Sequence, residues 1–240
     1  MYNLTIRSIF RDSVSYIPQY FYQIDKFLQI CRPLDSKINF VLLEGDSIDN
    51  TYELLNQELD YLKLNYGVTG EIIKFDTNLP KEPRDINVGL RFKRIAIAWN
   101  KNLETKSDST LTVLVESDLL WDAPSMYGMV SNFMEEDTAM APMLLTESGL
   151  SMLEFYDTHG FKRGNRNFDG RPPYWKQCPE DKPNDIWLRM DTIGGFVLCD
   201  KKAMDKVRWN SSSCVLEWSK ETKVWMNRGA VVLHPRGEFV

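Results

Sequence analysis

Leu111-Thr-Val-Leu-Val-Glu-Ser-Asp-Leu-Leu120 is the stretch on which the reading of this chain turns. Its first five residues form a nearly unbroken apolar run of strand length, as in a strand covered on both faces. The run ends directly in Glu116-Ser117-Asp118. If the pleat continues past Val115, carboxylates at i and i+2 leave the strand on the same side and can face one cation. Acidic residues at a strand end also serve as solvated tips or as caps of the next helix, here one opened by Pro124.

Working outward, strand and helix patterns alternate. "LTIRSIF" (4–10) reads as a strand, and Pro18 opens a helix through "PQYFYQIDKFLQI" (18–30). "INFVLL" (38–43) is a second buried strand, followed by a helix with Tyr52, Leu55, Leu59 and Leu62 on one stripe, capped from Asp46, Ser47 or Asp49. "GEIIKF" (70–75) is a third strand. Over 87–104, Val88, Phe92, Ile95 and Trp99 mark an amphipathic helix; Arg91 borders the stripe and is placed to reach inward, while Arg94 and Lys101 point elsewhere. "AMAPMLL" (139–145) is a fifth strand. Such alternation implies βαβ units and a mostly parallel sheet, with its ligand crevice at the carboxyl ends of the strands. Three polar clusters fall at such ends: Arg11-Asp12, Glu44–Asp49 and Glu116–Asp118. After residue 146 the composition changes, and "FYDTHGFKRGNRNFDGRPPYWKQCPEDKPND" (155–185), rich in Gly, Pro, Asn and aromatic residues, is expected to be a long ordered loop. "TIGGFVLC" (192–199) returns to strand, "CVLEWSKETKVWMNRG" (214–229) to helix with Gly229 at its C′ position, and "AVVLHP" (230–235) to strand. No repeat or linker divides the chain, which is expected to be one domain over 1–240.

The chain has 240 residues, 43% hydrophobic and 26% charged, which excludes wholesale disorder and collagen-like repeats. A net charge of −5 argues against a general nucleic-acid or anionic-membrane coat. No G-x-G-x-x-G and no P-loop sequence is present, so a bound nucleotide would be held by side chains and a metal. With 2 histidines, a metal site must rest mainly on carboxylates, which favours magnesium or manganese over zinc. The 4 cysteines match neither C-x-x-C spacing nor a disulfide framework. No apolar run is long enough to span a bilayer and no signal peptide is evident, so a soluble, cytoplasmic protein is expected.

Several single residues can carry chemistry. Glu44 can accept hydrogen bonds from a base N–H or a ribose hydroxyl, while Asp49 suits a cap. Arg11 can meet phosphate or base, or can pair with Asp12. Glu217, between leucine and Trp218 in the expected helix, either complements the helix dipole or deprotonates a hydroxyl. His234 ends a strand before Pro235, where its imidazole can be a third metal ligand; His159 lies in the long loop. Residues 159–176 interleave basic and aromatic side chains, suited to sugars, phosphates or single-stranded nucleic acid, or to a solvated loop anchored by buried rings.

In order along the chain, these motifs resemble the GT-A glycosyltransferases. "VLLEGDSIDNTYELL" looks like their second-strand motif, and "RFKRIAIAWNKNLE" is similar to the Arg-rich helix ending in Asn before their metal motif. "VLVESDLLWDAPSM" takes the place of the D-x-D strand, with Glu116 for the first Asp. "FYDTHGFKRGNRNFDG" resembles the Tyr-Asp-Thr…Arg…Gly segment of the fungal capsule-associated and cryptococcal α-mannosyltransferase family. "DTIGGFVLC" and "CVLEWSKETKVWMNRGAVVLHP" resemble the acceptor-side strand and the closing helix–Gly–strand unit.

The resemblance implies an α/β fold of the GT-A nucleotide-diphospho-sugar transferase type. Its mostly parallel central sheet is flanked by helices, with a small acceptor-side subregion. A nucleotide-sugar-binding half would span 1–145 and an acceptor-binding half 146–240. It implies a hexosyltransferase using a nucleotide-sugar donor and Mn or Mg, with mannose from GDP-mannose one candidate. Arg11, Glu44, Arg91, Arg94 and Ser117 would hold the donor, and Glu116, Asp118 and His234 the cation. Asp191 and Glu217 would face the sugar or acceptor. Glu217 is the base if the enzyme inverts; if it retains, the leaving diphosphate can take the acceptor proton and Glu217 only orients groups. A saccharide is the expected acceptor. The alternatives are a transferase acting on modified bases of nucleic acid and a non-catalytic nucleotide-sugar-binding module.

Overall fold

A computed structural model of the chain describes residues 3–34, 36–80, 88–133, 136–147, 153–156, 161–163, 166–167, 185–210 and 215–235. Along the chain lie β1 (Asn3–Phe10), α1 (Ile17–Cys31), a 3-10 turn (Arg32–Leu34), β2 (Lys37–Gly45), α2 (Thr51–Tyr66), β3 (Thr69–Phe75) and α3 (Val88–Glu104). There follow β4 (Leu111–Val115), α4 (Ala123–Ser131), β5 (Thr138–Glu147), β6 (Leu153–Phe155) and two short pieces, β7 (Lys162–Arg163) and β8 (Arg166–Asn167). The chain closes with β9 (Trp187–Met190), β10 (Phe196–Asp200), α5 (Lys201–Met204), β11 (Arg208–Asn210), β12 (Val215–Glu217) and β13 (Lys223–Leu233).

Each helix forms where the apolar spacing asks for one. In α1, Ile17, Tyr20, Phe21, Ile24, Phe27 and Leu28 bury one face, with proline in the first turn where no amide bond is lost. In α2, Leu55, Leu59 and Leu62 do the same, and the helix stops at Gly67 in the left-handed region (φ 66). The side chains of β4 are buried at every position, as its unbroken apolar run requires.

Nine of the described strands build one sheet in the order β3-β2-β1-β4-β10-β5-β13-β9, with β6 beside β5, while β7 pairs with β8 and β11 with β12. β1 runs parallel to β2 and β4, and β2 parallel to β3. β10 is antiparallel to both β4 and β5, which sets β5 parallel to β4, and β13 runs parallel to β5. The carboxyl ends of β1 to β5 and β13 therefore share one edge of the sheet, and the amino ends share the other. β9 closes the outer side antiparallel to β13. No helix among the described residues is long and apolar enough to cross a membrane.

Two expectations are corrected. Residues 215–217 and 223–233 are strands, not a helix over 214–229. Val224 and Met226 are buried, Lys223 is exposed and Trp225 half-buried on the other face, an alternation of period two that fits a strand. Gly229 lies within β13, where the pairing register with β5 shifts between Asn227 and Val231; it marks a bulge rather than a helix end. Within the expected loop, Lys162–Arg163 and Arg166–Asn167 pair as the short strands β7 and β8; β9 adds a strand just beyond it, and β10 begins only at Phe196.

Candidate active site

At the carboxyl edge, the loops after β1 and β2 are sewn together by hydrogen bonds. Backbone N–H groups of Asp12, Ser13 and Val14 donate to Ser47 Oγ (3.0 Å), Thr51 Oγ1 (2.7 Å) and Asp49 Oδ2 (3.4 Å). Asp12 Oδ1 in return accepts the N–H of Ile48 at 2.9 Å. The Ser-x-Asp-x-Thr pattern is thus an acceptor row for the neighbouring turn as well as a helix start. Asp49 Oδ1 also accepts the Thr51 N–H at 3.0 Å, from one position before the cap; the cap residue itself is Asn50, whose side chain makes no cap bond.

Asp46 departs from the capping expectation. It takes a left-handed backbone (φ 64), is buried, and accepts from both the N–H and the hydroxyl of Thr77 after β3. Arg94 Nε reaches it from α3 at 3.0 Å, and the same guanidinium donates to Pro80 O at 2.6 Å. Burial pushes the Asp46 carboxyl up, but hydrogen bonds with Thr77, the Asp76 side chain and Arg94 outweigh that and hold it below the usual carboxylate range. Arg94 and Arg91 thereby exchange their expected places: Arg94 is the buried one and Arg91 is exposed. The apolar stripe is wide enough to admit Arg94 because Asp46 neutralises it there.

Of the remaining donor-side candidates, Glu44 is buried at 2% exposure and accepts the Ser47 N–H at 3.0 Å. It is folded into its own turn rather than presented at the surface. Arg11 lies 3.5 Å from Asp12, the pairing named as its alternative. Ser117 is half-buried beside the strand end.

The acidic end of β4 meets the end of β13. His234 Nε2 lies 3.3 Å from Asp118 Oδ2, both side chains being largely enclosed. Leu120 and Leu233 exchange two backbone hydrogen bonds, 2.7 and 2.8 Å long, and this one-residue bridge sets the two segments side by side. His234 is fixed further by its N–H on Leu145 O (2.8 Å) and by Thr146 Oγ1 on its carbonyl (2.8 Å). The Tyr156 ring stacks on its imidazole, centroids 3.7 Å apart and planes 10° from parallel. Nδ1 of His234 is buried and has no hydrogen-bond partner among the described residues.

Gly195, at φ 68, accepts the Glu116 N–H at 3.0 Å and so anchors the start of the acidic turn. Beyond Val115 the chain leaves the pleat for a turn, and the i, i+2 alignment expected of Glu116 and Asp118 lapses. Among the described residues no three His, Cys, Asp or Glu side chains converge as a metal-holding group. Of the expected trio of Glu116, Asp118 and His234, the described contacts bring Asp118 and His234 together. That pair fits a hard divalent cation: two neighbouring ligands about 2.1 Å from an octahedral ion lie about 3 Å apart, close to the separation found here. A carboxylate and an imidazole also suit manganese or magnesium when substrate oxygens and water complete the shell.

Asp191 is exposed at the end of β9, its N–H donating to Lys162 O at 2.8 Å. Glu217 lies on a strand, not on the expected helix. It is exposed on β12, opposite Arg208, and accepts from Asn210 Nδ2 at 2.5 Å. The β11–β12 hairpin is pinned to α3 by Asn100, which bonds both backbone groups of Trp209 at 3.0 Å, and by stacking of Trp209 on Trp99. Its exit leads to the amino end of β13, whereas Asp118 and His234 stand at the carboxyl end of that 11-residue strand. His159 and most of the basic-aromatic loop lie outside the described residues; of that loop Phe161 is buried, and Lys162 and Arg163 are half-buried.

Gln23 on α1 escaped the sequence reading. It is buried, its Nε2 donates to Leu119 O and its Oε1 accepts the Trp121 N–H, each at 3.0 Å. A glutamine breaking an aromatic stripe was the available signal.

The α/β sheet with this strand order, its acidic turn after β4 and its returning strand β13 make up the GT-A type of nucleotide-diphospho-sugar transferase fold. No family model matches the chain, and no curated protein matches it. Among solved structures it is similar to TarS 1–349 of S. aureus, at 9% identity and a TM-score of 0.50, over 94% of this chain and 60% of that one. A second TarS structure matches at 7% identity and TM-score 0.50, over 94% of this chain and 36% of that one. The mannosyltransferase PcManGT from Pyrobaculum calidifontis, solved with GDP-Man and Mn2+, matches at 10% identity and TM-score 0.48, over 93% of this chain and 56% of that one. The chain thus spans 60% or less of the length of these structures.

Proposed function

We propose that the chain transfers a hexose from a nucleoside-diphosphate sugar to a hydroxyl acceptor, most readily a saccharide, with a divalent cation held at Asp118 and His234. The observation that carries this reading is the 3.3 Å approach of those two side chains at the carboxyl edge of a GT-A sheet. A crevice at that edge is where open α/β sheets bind nucleotides. Bound there, the cation would stabilise negative charge on the departing diphosphate.

The chain's own residues supply the rest. Tyr156 holds the imidazole plane, and the loop seam between residues 12–14 and 47–51 forms a rigid floor for the nucleoside beside Arg11. Asp191, which precedes the Gly195 turn by a few residues, is the acidic side chain we assign to the acceptor side. We keep mannose as the sugar of first choice on the motif resemblance to the capsule-associated family.

The test is release of nucleoside diphosphate from a panel of UDP-, GDP- and CDP-sugars with and without Mn2+. We expect one donor to be turned over in a cation-dependent manner, and Asp118→Asn to lower that rate by at least about 100-fold at unchanged melting temperature. Undiminished turnover by Asp118→Asn overturns the cation assignment, and absence of turnover with every donor favours a non-catalytic binding module.

A further inference from the structure

We infer that Gln23, on a helix remote in sequence from the acidic turn, is a positioning residue that sets the spacing of Asp118 and His234. This rests on the cation reading given above. The side chain has 4% of its surface exposed, and both ends of its amide reach main chain, Nε2 to Leu119 O and Oε1 to Trp121 N–H, with Oε1 also accepting from Gln19 Nε2 at 3.2 Å. Those two bonds bracket Leu120, the residue that exchanges both of its backbone bonds with Leu233. Asp118 precedes the bracketed segment and His234 follows Leu233, so the clamp fixes the register in which the two ligands meet.

Glu116 is tied to Gly195 on the other side of Asp118, and Trp121 is seated by ring contacts with Phe27 and Phe196 that leave its N–H to Gln23. An apolar residue at position 23 would strand a buried carbonyl and a buried N–H, and the 119–121 segment would shift to recover them. Residues that orient metal ligands without touching the metal commonly govern affinity by 10- to 100-fold.

The test compares the intact chain with Gln23→Met, which keeps the volume, and Gln23→Asn, which keeps the polarity but is too short to span both groups. Tyr20→Phe serves as control: it removes a buried hydrogen bond to Ser8 from the same helix without touching residues 119–121. Each is titrated with Mn2+ alone and read by melting temperature, since an ion that binds only the native state raises it.

We expect both Gln23 variants to need about tenfold more Mn2+ for the same increment, while Tyr20→Phe melts lower but shows the parent's increment. Should Gln23→Met fail to fold, Gln23→Asn carries the comparison. A parent response kept by both Gln23 variants overturns the positioning role alone. A parent that does not respond to Mn2+ overturns the cation reading and this inference with it.

Discussion

Asp46 places a carboxylate where the chain turns left-handed, and three elements depend on it: the turn after β2, Thr77 after β3 and Arg94 of α3. Because its folded-state pKa lies below the ordinary value of 3.8, the stability it contributes is complete above that value. It is lost as pH falls from there through the folded-state value, since the unfolded chain then binds the proton first. Asp46→Asn should remove that part of the acid limb. Melting curves from pH 2 to 7 should show a flatter acid fall and, at neutral pH, a loss of about 3 kcal/mol, because Arg94 is left buried and uncompensated. At this scale the sequence was a partial guide. Glu116-Ser117-Asp118 and His234 stand out by type and by place at strand ends. The pairing of Arg94 with Asp46 does not, because residues 48 positions apart meet only once α3 has packed on the sheet.

The turn ahead of β10 bears on the acidic turn after β4. Gly195 sits at φ 68, and a Cβ there would come within 2.7 Å of Leu144 Cδ2. The side-chain clash can relax by rotation of Leu144, so the backbone conformation carries most of the cost, about 1 to 2 kcal/mol for a residue with a side chain. Gly195→Ala should lower stability by about that amount in urea unfolding and also weaken the Glu116 bond that starts the turn; an unchanged midpoint would contradict it. Elements of strong period were legible: α1 and α2 from their stripes, β2 and β4 from their unbroken apolar runs. β13 was not, because its alternation is interrupted at the bulge and Trp218, Thr222 and Trp225 mimic a helical spacing. β9 is 4 residues long, too short for any period to declare itself inside a region rich in loop residues.

Over the whole molecule, the parallel strands direct three polar turns to one edge, and β13, the last described strand, brings His234 to the acidic turn from the far end of the sequence. That return was legible as a strand ending in His-Pro. The antiparallel insertion of β10 between β4 and β5 was not, since pairing order depends on contacts that local pattern does not encode. The relocation of Glu217 follows from the same limit: once its helix becomes a hairpin, it leads to the amino edge. Anomalous diffraction at the manganese edge, from crystals grown with Mn2+ and a nucleoside diphosphate, tests the central claim most directly. The account predicts a single strong peak about 2.0 to 2.3 Å from both an Asp118 carboxylate oxygen and His234 Nε2. A peak bound elsewhere, or Asp118 and His234 still paired with each other while the nucleotide is bound without metal, would contradict it.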